Sequence, residues 1–92
     1  MNYRYALPAR LSDQATLFAE FANGGAQCHA ELFDGTTHSG LLISNATAII
    51  AMRGEATLPF AVDLIDRLFQ TAEDLNPAER DGWQYFDEWM PT

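Results

Sequence analysis

Residues 1–92 read as a single α+β domain: a four- to five-stranded antiparallel meander with one N-terminal and two C-terminal helices. Three observations predict it. Between Ala26 and Phe60, short β-rich runs are cut at near-regular spacing by Asp34-Gly35, Asn45-Ala46 and Arg53-Gly54-Glu55, the pattern of an antiparallel meander. Ahead of that stretch, Ala15, Phe18 and Ala22 recur at helical spacing. Beyond it, from Ala61, the apolar period changes from two to the helical 3.6.

Taken in order, Tyr3, Tyr5 and Leu7 alternate with polar or small residues until Pro8, a pattern for a short edge strand. Ser12 is placed as an N-cap with Asp13 at the positive helix end, and Asn23-Gly24-Gly25 closes the first helix after Ala22. A two-residue turn at Asp34-Gly35 would set a register in which Glu31 opposes His38 and Cys28 opposes Leu41. Cys28, Ala30 and Leu32 then share a face with Leu41 and Ile43, while His29, Glu31 and Phe33 share the other with His38 and Gly40. A second hairpin turns at Asn45-Ala46. Thr47 to Met52 is apolar on both faces, which suits a central strand covered on both sides. The Arg53-Gly54-Glu55 turn leads into a strand over Ala56 to Phe60. Ala61, Leu64, Ile65, Leu68, Phe69 and Ala72 then make one helical stripe. Asn76-Pro77-Ala78-Glu79 matches an N-cap, a first-position proline and a first-turn acid, predicting a last helix that runs to about Met90.

The chain is long enough for one domain and too short for two. It carries thirteen acids, five arginines and no lysine, for a formal charge of −8. Residues 1–60 hold a net −2 and residues 61–92 a net −6. Phosphate contacts dominate nucleic-acid affinity and demand a basic face, so this balance points to a protein partner or to self-association rather than to nucleic acid. A single cysteine cannot form an internal disulfide. No stretch approaches the ~20 apolar residues of a membrane span, and the N-terminus lacks a signal-peptide core, so the expected location is cytoplasmic with no membrane contact.

Candidate chemistry is sparse, and the expectation is a non-enzyme without a cofactor. Cys28 and His29 are neighbours on opposite faces of a strand and cannot grip one ion together. His29, Glu31 and His38 would share a face, enough for a three-ligand metal or small-enzyme site. The simpler alternative is a cross-strand Glu31–His38 pair worth ~0.2–1 kcal/mol. Facing the core, Cys28 would be inert as a nucleophile. Ser39 and Ser44 have no surrounding elbow motif and no obvious base, and Glu73-Asp74 and Asp87-Glu88 read as helix-surface pairs. Trp83, Tyr85, Phe86, Trp89 and Met90 crowd into eight residues and cannot all face one way at ~100° per residue. One stripe completes the core; the other is the candidate partner-binding surface, where Trp and Tyr are favoured anchors.

The run Leu32-Phe33-Asp34-Gly35-Thr36-Thr37-His38-Ser39-Gly40-Leu41-Leu42 resembles the first half of the Sm-like motif. It has the hydrophobic strand, the Asp-Gly turn, a glycine five residues on and a leucine two beyond. Met52-Arg53-Gly54 is similar to the family's Arg-Gly loop, and Leu58-Pro59-Phe60 to the closing strand of some bacterial members. The resemblance spans residues 12–60 and implies a strongly bent sheet and an oligomer that binds single-stranded RNA, with Asn45 and Arg53 as its contacts. The family's loop aspartate is missing from Ser44-Asn45-Ala46-Thr47, and the segment from Gly40 to Arg53 is short for the family. The function expected from the whole sequence is a small acidic interaction or regulatory module, self-associating through its C-terminal aromatics.

Overall fold

The computed structural model describes residues 4–80 and 82–86. In chain order it contains helix α1 (Ala9–Ala15), strands β1 (Gly25–Leu32), β2 (Thr37–Ser44) and β3 (Ala48–Met52), a 3-10 turn (Val62–Leu64), strand β4 (Ile65–Phe69) and a one-turn helix α2 (Ala72–Leu75). The strands form one antiparallel sheet in the order β3-β2-β1-β4. The α+β class and the central hairpins are as expected. The meander is not strictly sequential, because the fourth strand returns to pair with β1.

The β1–β2 hairpin differs from the expected register near its turn. Leu32 N–H donates to Thr36 O and Gly35 N–H to Leu32 O, with Gly35 at φ 89. The loop is therefore three residues, a tight turn followed by a left-handed glycine, rather than two. Ala30 thus pairs with His38, and Glu31 with Thr37. Two residues further on, Gly40 adopts φ 70 at a bulge that restores the expected Cys28–Leu41 pair. The two register shifts cancel. Between them, His38 moves to the inner face of the sheet, away from His29 and Glu31. The β2–β3 turn is as expected: Thr47 N–H donates to Ser44 O, with Asn45 at φ 50 and Ala46 at φ 60.

Five expectations are not met. The first helix occupies Ala9–Ala15 rather than Ser12 to Ala22. Pro8 is its extended N-cap, and Ser12 sits inside it with its hydroxyl donating to Ala46 O. Beyond the helix, Gln70 holds the Ala19 backbone in a non-helical stretch: Ala19 N–H donates to Gln70 Oε1, and Gln70 Nε2 donates to Ala19 O. Ala56 to Phe60 forms no strand, and Leu58 enters the core from an irregular segment. The apolar stripe after Ala61 is a strand, not a helix. Ile65 pairs with Leu32, but Arg67 pairs with Glu31, so a bulge inserts one extra residue and turns both Ile65 and Leu68 inward. Buried residues three apart then imitate a helical period. Within the last predicted helix, residues 76–80 and 82–86 are irregular; Asn76 ends α2 instead of starting a helix. The N-terminal strand reduces to a bridge between Ala6 and Ala48, and Tyr3 lies outside the described residues.

The sheet is covered on both faces. The inner core gathers Leu11 and Ala15 of α1 with Cys28, Leu41, Ile43, Ile49, Ile65 and Phe86. Full burial of each of its Leu and Ile side chains contributes ~1.5–3 kcal/mol. On the outer face, Leu42, Ala48, Ile50 and Ala51 pack beneath Phe21 and Trp83. This explains why β3 is buried along its whole length although it is an edge strand rather than the central one expected. Its open side is taken by residues 5–7 and by Phe86: Ile49 N–H donates to Tyr5 O, Leu7 N–H to Thr47 O, and Phe86 N–H to Ile50 O. On the opposite edge, α1 supplies side chains: Leu68 N–H donates to Gln14 Oε1, and Arg10 donates to Asp66 O. Both edges that could template further strand pairing are occupied in these stretches.

Candidate functional site on the outer face of the sheet

After β4 the chain crosses the outer face as a strap, from Gln70 to Phe86. Its first anchor is Asp74, which is fully buried. The carboxylate accepts from Gln27 Nε2 at 2.9 Å and from Thr71 N–H at 2.9 Å, and the Thr71 hydroxyl lies 3.2 Å away. It also meets His29 Nδ1 at 2.7 Å. A carboxylate only accepts, so Nδ1 carries the proton in this pair. In the neutral ring, Nε2 is then the bare nitrogen. Such a histidine can accept a proton or ligate a metal, because its carboxylate partner fixes the tautomer and the ring plane. His29 lines a cleft of about 510 Å³ shared with Ser39, Arg53, Thr71, Glu73 and Glu79.

The second anchor is Arg53. Its guanidinium lies 3.7 Å from the centre of the Trp83 ring, donates to Glu79 O at 3.0 Å and sits 3.6 Å from the Glu79 carboxylate. Gly40 makes this possible, since a Cβ there would stand 3.0 Å from Arg53 Cγ and 3.1 Å from its Cβ. The Arg53–Trp83 stack separates the His29 cleft from a second, more apolar cavity. That cavity, about 150 Å³, is lined by Phe21, Leu42, Ile50, Trp83 and Tyr85, with Ser44, Asn45 and Arg80 among its polar members.

The residues singled out in the sequence disperse in the fold. Of the C-terminal aromatics, Phe86 is buried edge-on against Tyr5 at 5.1 Å, and Trp83 is half-buried. Tyr85 keeps 41% of its surface exposed while bridging to Ala51, and Trp89 lies outside the described residues. The His29, Glu31 and His38 set is not brought together: His29 is held by Asp74, Glu31 by Arg67 at 2.9 Å, and His38 stacks on Phe60 at 4.6 Å. Among the described residues, no group of three His, Cys, Asp or Glu side chains is placed to hold a metal. Asn45 and Arg53 sit at opposite ends of β3, separated by a strand of roughly 17 Å. Cys28 faces the core as expected, and burial first, then the Asp74 charge, pushes its thiol pKa far up.

Sequence reasoning overlooked Asp74, which Glu73-Asp74 disguised as a surface pair. The available signal was Thr71-Ala72-Glu73-Asp74, a threonine with an acid three residues on, which is a capping box. A different feature stands at the tip of the β1–β2 hairpin. Phe33 is 63% exposed and Leu64 51% exposed, and Phe33 N–H donates to Leu64 O. Among the described residues, no helix is long and apolar enough to cross a membrane. Comparison with known proteins finds no matching family model, curated protein or solved structure.

Proposed function

We propose that this chain is a small acidic, non-catalytic interaction module that self-associates. The observation that supports this reading best is the Phe33–Leu64 pair, two large apolar side chains held side by side in water around a depression of about 330 Å³. The tip that carries them is braced by local contacts. Asp34 Oδ1 accepts from Thr36 N–H at 2.9 Å and from the Thr36 hydroxyl at 2.7 Å, and Arg10 lies over the Phe33 ring at 5.5 Å. The hydroxyl bond first, then the backbone bond, holds the Asp34 carboxyl below its ordinary range, so the tip keeps this lock at neutral pH and loses it as acid protonates the side chain. A rigid apolar surface loses little entropy on contact. Charges of both signs border it, Arg10 over the Phe33 ring and Asp34 in the lining, which lets one copy meet another through the same patch.

This moves the proposed contact from the C-terminal aromatics, two of which turn inward, to the hairpin tip. The Sm-like RNA reading draws on the bulge at Gly40, but Arg53 is engaged with Trp83 and Glu79. The test is sedimentation across a concentration series. Wild type should associate reversibly, and Phe33→Ser with Leu64→Ser should shift it to monomer with an unchanged circular dichroism spectrum. A wild type that stays monomeric at the highest concentration overturns self-association. Assembly that survives the double change and is lost in Tyr85→Ala returns the contact to the strap.

A further inference from the structure

On the outer face of the sheet, His29 Nδ1 is held at 2.7 Å by the Asp74 carboxylate, which is fully buried and fixed by Gln27 and Thr71. The other ring nitrogen, Nε2, has no hydrogen-bond partner among the described residues and keeps contact with solvent. Since the Nδ1 edge meets a buried carboxylate, the 19% of the side chain that stays exposed lies towards Nε2. On β2, the residues facing His29 between the Cys28–Leu41 and Ala30–His38 pairs are Ser39 and Gly40. Gly40 has no side chain, so Ser39 is the group that β2 sets beside the imidazole. Ser39 is exposed and lines the same cleft of about 510 Å³ as His29. Cross-strand neighbours on one face start ~4.5–5.5 Å apart at Cβ, from which side-chain rotation brings a serine hydroxyl to a neighbouring imidazole.

We propose that Ser39 is a nucleophile, with His29 as its general base and Asp74 orienting the ring, and that it takes up an acyl group from an activated ester or thioester. The division of labour is that of a serine–histidine–aspartate triad, which is recognised by geometry and roles rather than by place in the chain. As Oγ bonds to the acyl carbon, its proton passes to His29 Nε2, while the Nδ1 proton stays with Asp74. The bond from that carbon to the leaving thiolate or alkoxide then breaks, and the Nε2 proton goes to the leaving group. The products are an ester on Ser39 and a free thiol or alcohol. Glu73 and Glu79 also line the cleft, which disfavours a phosphoryl group and leaves an uncharged acyl group as the fitting one. The cleft is separate from the Phe33–Leu64 tip, so the proposal goes beyond self-association.

The probe is p-nitrophenyl acetate, added in excess to the full chain at neutral pH. The expected result is a fast release of one equivalent of p-nitrophenolate per chain, with the acetyl group located on Ser39 by peptide mass mapping. Ser39→Ala, at an exposed position, should fold normally and lose the fast phase. His29→Gln should slow it by about a hundredfold, the lower range for loss of a general base. If His29→Gln does not fold, wild type and Ser39→Ala still decide. No fast phase in wild type, a folded Ser39→Ala that reacts as fast as wild type, or acetyl found on His29 with Ser39 unmodified each overturns the proposal. Release that continues past one equivalent and is lost in Ser39→Ala supports Ser39 as the nucleophile, and overturns the non-catalytic part of the association reading instead. Phe33→Ser with Leu64→Ser should leave the acetylation of Ser39 unchanged, which separates failure here from failure of self-association.

Discussion

At the scale of single residues, Asp74 carries more of this structure than its place in a four-residue helix suggests. It is a fully buried carboxylate that takes hydrogen bonds from a glutamine, a histidine and its own helix cap. Removing it leaves those donors buried without an acceptor, a worse outcome than losing one bond. Asp74→Ala is expected to destabilise the protein by about 2–4 kcal/mol, read as a lower urea midpoint with an unchanged slope. His29→Gln should cost less, because Asp74 keeps its other donors. Spacing from Thr71 marks Asp74 rather than Glu73 as the capping acid, but nothing in the amino-acid order marks it as buried while Glu73 is exposed. The capping-box spacing hinted at the helix; the burial came from β1 lying beneath it.

At the scale of elements, bulges and left-handed glycines decide which side chains share a face. Gly35 and Gly40 both have positive φ, but they differ in surroundings. A Cβ on Gly35 meets nothing within 4 Å, whereas one on Gly40 crowds Arg53 at 3.0 Å. Gly35→Ala should therefore cost only the left-handed backbone strain, ~1–2 kcal/mol. Gly40→Ala should cost that much and more, and should also change tryptophan fluorescence as Arg53 is pushed off Trp83. Equal thermal shifts with unchanged fluorescence in both variants would show that the Arg53 clamp is not held by Gly40. The hairpin turns between β1 and β2 and between β2 and β3 were legible in the sequence because Asp-Gly and Asn-Ala mark them locally, whereas the Arg53-Gly54 turn leads into no strand. Bulges were not, because each is a pairing mismatch between two strands and leaves no trace in one strand alone. The bulge in β4 is what made Ile65 and Leu68 look helical.

Taken whole, the described residues are a sheet closed by the segments that flank it in sequence. Residues 5–7 and 85–86 cover the β3 edge, α1 caps the β4 edge and the strap roofs the outer face. Cys28 lies at the centre, on β1, with no exposed surface. Its thiol should react with a disulfide reagent only through opening of the sheet, at a rate that follows global stability and rises in step with denaturant. Rapid native-state reaction would mean that the sheet opens locally around β1. Because burial raises the thiol pKa, the neutral form is favoured in the folded state. That contribution is full below the unfolded pKa of about 8.5 and is lost as pH rises past it.

The amino-acid order alone determined the α+β class, the central hairpins, the inward-facing Cys28 and the double-sided burial of β3, because these follow from turn chemistry and alternation within a few residues. Tertiary structure alone decided that residues 65–69 are a strand, that residues 76–80 and 82–86 are irregular and that His29 meets Asp74. Those outcomes depend on partners 33 to 51 positions away, such as Leu32 for Ile65, Asp74 for His29 and Gln70 for Ala19. Such pairings outweigh local propensity when the sheet offers backbone hydrogen bonds and a buried face that an isolated helix of the same sequence would lack.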